Sequence, residues 1–339
     1  MHLNFCNCDI LLRDIVFGVI TIKNNQLKGA FFLITAAVIW GLSFVAQSKG
    51  VEVIGTFTFN GIRTVLGGIV LLPVIAMLSA KKKSDSKQLS SVEQLVENEK
   101  KAEEKKNLIR GGLVCGMALF VGGNLQQHAF NYTTVGKVGF ITALYMILVP
   151  LLGLFLHKKV RPIVWVSVVM GAFGLYLLCA SGESATLGKG EGFALAGAVA
   201  FAIHILAVDR YSVLVDGVKL SCIQFFVAGG LSCICMFIFE TPKWSDILAV
   251  APYILYAGIM SCGVAFTFQI LGQRDCEPTV ASLLLCLESV FATLFGWLLL
   301  KQSLLPRELA GCVIMFAAII LSQLADVKLP RRKLKKVSK

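Results

Sequence analysis

Charge is what this sequence has least of: Asp, Glu, Lys and Arg together make up 15% of its 339 residues, against about 25% in an average soluble domain. A soluble domain this long needs far more ionised surface, so an ordinary soluble enzyme is excluded. Histidine is scarce as well, with only four, His2, His128, His157 and His204, and none forms the HExxH spacing of a metal hydrolase. No GxxxxGK[ST] loop occurs, so nothing points to ATP hydrolysis by this chain; Lys189 lies in a glycine-rich turn only. No CxxC pair or Cys/His zinc spacing is present, and no cofactor is expected.

What the chain has in abundance is apolar residues, at 56%, with 31 glycines besides. That composition excludes intrinsic disorder, and its long unbroken runs argue against a membrane barrel, whose alternating pattern is weaker. A membrane-crossing helix needs about 20 apolar residues. Ten such runs are read, at 29–48, 55–79, 111–130, 135–156, 162–180, 191–210, 218–239, 252–272, 278–300 and 306–325. The expectation is an all-α integral membrane protein of ten spans in a lipid bilayer. Eight of the eleven cysteines lie inside these runs, where cysteine acts as a small hydrophobe.

The few charges are clustered. Fifteen lie in Lys81–Arg110 and seven in Lys328–Lys339. The net charge of +12 does not indicate nucleic acid, because the basic clusters flank apolar runs and lack interleaved aromatics. With the N-terminus inside, 25 Lys and Arg fall on inner segments and six on outer ones. The positive-inside rule then places both termini in the cytoplasm of a multi-pass protein of the cell membrane.

Three stretches stand apart from the spans. Residues 1–28 form an N-terminal extension whose apolar part, Ile10–Ile22, is too short to cross a bilayer; an interfacial helix is one reading. The insert at 80–110 is polar, with overlapping capping-box candidates at Ser90–Glu93 and Ser91–Gln94, and reads as a solvated linker with some helix. Residues 326–339 form a basic tail.

The two halves resemble each other. Leu125–Leu178 and Phe268–Leu321 each open on an apolar residue followed by glutamine, Gln126 and Gln269. Each continues through a long apolar span to a basic residue, and Pro162 or Pro306 starts the next helix, where its missing N–H is costless. Five spans per copy is an odd number, so equivalent helices point in opposite directions across the membrane. That is the inverted-repeat plan of many secondary transporters, in which two similar halves exchange conformations.

Ile39-Trp40-Gly41-Leu42-Ser43-Phe44, the stretch Phe59-Asn60-Gly61-Ile62-Arg63 and the paired segments resemble an EamA-type transporter of the drug/metabolite transporter superfamily, over about residues 27–326. The resemblance implies two inverted five-helix repeats, at 29–180 and 191–325, and a central cavity lined mainly by spans 1, 3, 4, 6, 8 and 9. Ser289, where the second repeat often has proline, and the long insert depart from the common pattern.

Polar groups in hydrocarbon need a partner or a function. Arg63, in span 2, is assigned either to structural pairing or to substrate contact or gating. Glu288, the one carboxylate well inside an apolar span, is a candidate proton carrier or else a protonated carboxyl bonded between helices. In span 3, Asn124 and His128 share a face and Gln126 points nearly opposite; one face is expected to meet the cavity and the other to bond between helices. Gln269 holds the place of Gln126 in the second copy. His204 continues the small-residue stripe Gly192, Ala196, Ala200 and is expected to face protein. Trp40 and Tyr145 are candidate aromatic walls.

The leading reading is a secondary transporter exporting small metabolites such as amino acids by alternating access. Its expected partners are a small-molecule substrate, a proton as coupling ion and a second copy in a homodimer. A polytopic membrane enzyme and a receptor or scaffold without transport are the alternatives. An enzyme would need a nucleophile and base within reach, and no sizeable soluble domain is present to relay a signal.

Overall fold

Residues 6–84, 91–133, 135–157, 160–179, 188–300 and 305–325 are described by a computed structural model. Every regular element among them is a helix. Eight helices are long and apolar enough to cross a membrane, and two shorter apolar ones lie at Pro162–Leu177 and Leu309–Ser322. Their order reproduces the ten runs of the sequence, and the chain is an all-α membrane protein. Large apolar side chains such as Met77, Phe155, Val169 and Phe237 lie exposed on the outside, as a lipid-facing surface requires.

The first span is the end of a longer helix. α1 (Cys6–Val51) runs unbroken from the stretch expected as a separate extension, because no proline interrupts it. α2 (Thr56–Ser84) carries Pro73 in its interior. α3 (Ser91–Ala129) is 39 residues long, so most of the insert is helix continuous with spans 2 and 3 rather than linker. The capping-box candidates lie outside the described side chains.

Three spans that read as single apolar runs are interrupted. Span 4 divides into α4 (Val135–Ala143) and α5 (Tyr145–Phe155). At this break the Ile147 N–H turns to Leu144 O at 2.9 Å. After α6 (Pro162–Cys179), α7 (Lys189–Ser212), α8 (Gly217–Phe239) and the short α9 (Trp244–Ala249), span 8 is built in three pieces. These are α10 (Ala251–Tyr256), a π-helix at Ala257–Phe266 and α11 (Thr267–Gln273). Span 9 divides into α12 (Pro278–Leu285) and α13 (Leu287–Leu300), with the Ser289 N–H on Cys286 O at 3.1 Å. α14 (Pro306–Ala325) closes the order.

Helices at corresponding places in the two halves pack on one another: α6 on α14, and α2 on α8. α3 packs on α7, and in the matching place α1 packs on the pieces of span 8. Small residues make these crossings close. A Cβ at Gly29 would lie 2.9 Å from Gly272 O, and one at Gly272 would lie 2.8 Å from Gly29 O. A Cβ at Gly116 of α3 would likewise lie 3.0 Å from Gln224 O on α8.

The stripe expected on α7 is placed differently. Gly192 and Ala196 are exposed, and α7 makes its approach through Gly197, whose Cβ would meet Gly122 O at 3.4 Å. Only Ala200 and His204 of the stripe are buried. A four-residue step drifts around a helix of 3.6 residues per turn, so the upper end of the stripe leaves the interface.

Candidate functional site

The largest core cluster gathers residues of α1, span 4, α7 and span 9. Beside it lies a cavity of about 50 Å³, room for several waters at roughly 10–15 Å³ for each water centre. Each element contributes from one helical face: Trp40, Phe44 and Gln47 from α1, then Leu119, Gly123 and Gln126 from α3. α7 adds Phe201, His204 and Ile205, and span 8 adds Ser261, Phe266 and Gln269. Thr142 and Tyr145 flank the break in span 4, Leu285 and Glu288 that in span 9, and Arg63 enters from α2.

The lining follows the repeat. Tyr145 and Glu288 hold the same place in the paired stretches, 143 residues apart, and the Tyr145 hydroxyl donates to Glu288 Oε1 at 3.1 Å. Ala143 and Cys286 are separated by the same 143 residues, and Cys286 Sγ donates to Ala143 O at 3.3 Å. Contacts between equivalent residues lie where the two copies meet. The same displacement relates Gln126 to Gln269, Gly123 to Phe266 and Thr142 to Leu285. Trp40 and Phe44 on α1 are answered at equal spacing by Phe201 and Ile205 on α7.

Seven of the nine residues singled out from the sequence line this cavity: Trp40, Arg63, Gln126, Tyr145, His204, Gln269 and Glu288. Asn124 and His128 do not. Asn124 Nδ2 donates to Ser232 Oγ on α8 at 2.8 Å and its Oδ1 accepts from Asn60 Nδ2 of α2 at 3.1 Å. It therefore ties three helices together. The His128 ring packs edge-on to Phe193 at 4.8 Å and Tyr132 at 5.2 Å, at the end of α3. On this helix the cavity is met by Gln126, opposite the Asn124 face.

The polar groups of the lining differ in how well they are satisfied. Trp40 Nε1 donates to Ser261 O of the π-helix at 3.4 Å, and the indole packs edge-on to Phe266 at 4.7 Å. His204 Nε2 meets Gln224 Oε1 of α8 at 3.0 Å. By contrast, Gln47 Oε1, Gln269 Oε1 and Arg63 Nε are buried with no hydrogen-bond partner among the described residues. The Arg63 guanidinium lies 5.6 Å from the Phe59 ring centre. These atoms leave hydrogen-bonding capacity free in the cavity wall, available to a polar occupant. Among the described residues, no group of three His, Cys, Asp or Glu is placed to hold a metal.

Gln47, Ser261 and Phe266 were not singled out from the sequence. Gln47 lies two turns beyond Trp40 on the same face, a spacing that could have found it. Ser261 reaches the cavity because the wider π turn reorients its stretch, and π-segments occur often at functional sites.

Comparison with known proteins agrees with this architecture. The profile of the EamA-like transporter family matches residues 27–180 and again 188–324. A protein of Archaeoglobus fulgidus, described as an uncharacterized transporter, is 28% identical over 293 residues, covering 86% of this chain and 84% of that protein. The uncharacterized transporter YoaV of Bacillus subtilis is 23% identical over 297 residues, covering 86% and 94%. A solved crystal structure shares the fold with a TM-score of 0.67 at 19% identity, covering 88% of this chain and 96% of that one.

Proposed function

The chain belongs to the EamA-like transporter family, and we propose on that footing that it is a secondary transporter exporting small metabolites such as amino acids by alternating access. The observation that carries this reading is the cavity at the meeting line of the two halves, where Tyr145 and Glu288 touch from equivalent positions. Two similar halves around one site can open it to either side in turn. The polar lining suits a solute with hydrogen-bonding groups, and Trp40, Phe44, Phe201 and Phe266 suit an apolar body.

Glu288 is the carboxylate of the lining and, in this reading, carries the coupling proton, with Tyr145 as its hydrogen-bond partner. The bias of Lys and Arg sets both termini on the cytoplasmic side of the cell membrane. Self-association as a homodimer belongs to the same proposal. The enzyme and scaffold alternatives have no observation in their favour here.

The test is flux. Purified protein in liposomes, loaded with a broad metabolite panel, is expected to release some solute faster than empty liposomes, with saturation. No saturable flux across the panel, together with turnover of a lipid substrate, would overturn the reading in favour of an enzyme.

A further inference from the structure

Arg63 stands in the cavity wall with no counter-charge within ion-pair distance among the described residues. It is 7% exposed, and among the described residues its guanidinium makes neither an ion pair nor a hydrogen bond. Its neighbour is the face of the Phe59 ring. An isolated charge withdrawn from water is costly, and arginine in a membrane span is held where it has work to do.

The twin position sharpens the point. The displacement that relates Trp40 to Phe201 relates Arg63 to Gln224 on α8. There the side chain is a neutral amide, and it has a partner in His204. So the fold at this place tolerates an uncharged group, whose Oε1 is bonded while its Nε2 has no partner among the described residues. Arg63 is the departure: one copy carries a permanent cation, and among the described residues it has the Phe59 ring face beside it and no ion pair.

We propose that Arg63 is the specificity-determining residue of the cavity and that it pairs with the carboxylate of a monoanionic or zwitterionic solute. This rests on the transport reading and narrows its substrate class. One cation lines the cavity, and the Glu288 carboxyl lies in the same wall, so a dianion such as a phosphate ester would be left with excess negative charge. A carboxylate matches the planar fork of the guanidinium in two parallel hydrogen bonds. The unpartnered Oε1 atoms of Gln47 and Gln269 are acceptors for a donor elsewhere on the solute. Trp40, Phe44, Phe201 and Phe266 of the lining take its apolar part.

The test uses full-length protein in nanodiscs and matched probes: acetate, 4-methylpentanoate and leucine, against acetamide, 4-methylpentanamide, leucinamide and 3-methylbutylamine. Binding is read by tryptophan fluorescence, to which Trp40 contributes from the cavity wall, and by the shift in melting temperature. At least one carboxylate is expected to bind saturably while its amide and the amine do not. Arg63→Gln is expected to weaken that binding by about ten- to hundredfold. Arg63→Lys, which keeps the charge and loses the fork, should fall between. Equal binding of carboxylates and amides, binding unchanged in Arg63→Gln, or no binding by any carboxylate overturns the proposal. If Arg63→Gln does not fold, the carboxylate–amide pairs and Arg63→Lys decide. Saturable flux of neutral or cationic solutes that survives Arg63→Lys sinks this inference alone, whereas no saturable flux of any solute sinks the transport reading.

Discussion

The Tyr145 hydroxyl donates to Glu288 Oε1 across 3.1 Å, and the two residues occupy the same place in the two halves of the chain. A contact of that kind lies where the two halves meet, so neither half can move past the other without disturbing it. Glu288 is 5% exposed and lies just after the break in span 9, as Tyr145 does in span 4. If Glu288 carries the coupling proton, Glu288→Gln abolishes flux driven by a pH gradient while solute exchange at equal pH persists. Gradient-driven flux at the wild-type rate would remove Glu288 from that role. Tyr145→Phe removes one hydrogen bond, worth about 0.5–1.5 kcal/mol, and should slow the same flux several-fold without abolishing it.

Water access is expected to separate the cavity from the lipid-facing surface. In a background with the native cysteines replaced, Thr142→Cys is expected to react with a small charged thiol reagent, because Thr142 lines the cavity. Ile69→Cys, at an exposed apolar position on α2, is expected to stay unreacted in a bilayer. Equal labelling of both would show that the lining is no wetter than the outer face.

Glu240, just past the end of α8, caps the start of α2. It accepts from the Phe57 N–H at 2.9 Å, the Thr58 N–H at 2.8 Å and the Thr58 hydroxyl at 2.7 Å. The first turn of a helix has N–H groups with no partner of their own, and an acceptor there stabilises by about 0.5–2 kcal/mol. Glu240→Ala should therefore lower the melting temperature and speed amide exchange at Phe57 and Thr58, with little change at the far end of α2. Unaltered exchange at those two amides would show that the cap is idle.

The crossing of α1 and α11 leaves no room for a side chain. At Gly272 a Cβ would lie 2.7 Å from Leu33 Cγ and 2.8 Å from Gly29 O, and the backbone oxygen cannot step aside. Gly272→Leu is expected to destabilise by at least the ~1–3 kcal/mol typical of overpacking. Thermal unfolding in detergent measures this, and a wild-type melting temperature would mean the two helices can separate freely.

The spans and the duplication were legible in the sequence because both are carried by long apolar runs, which depend on composition more than on geometry. The interruptions were not. The runs through Leu144, Cys286 and Ala257–Phe266 are as apolar as their surroundings, and hydropathy does not register which carbonyl an N–H selects. Pro150 lies inside α5 and not at its break, so proline gave no clue either. On α3, periodicity separated Gln126 from Asn124 but could not say which face turns inward; the neighbours Asn60 and Ser232 decide that, from other helices. The polar end of α3 read as linker because charge density marks solvent exposure and says nothing against helix.

That polar end has a mechanical consequence. α3 spans roughly 58 Å at 1.5 Å per residue from Ser91 to Ala129 without a joint, while spans 4, 8 and 9 each contain one. Tilting its outlying third must therefore swing Gly123 and Gln126 as an oar blade follows its handle, and any bending falls to the jointed helices around it.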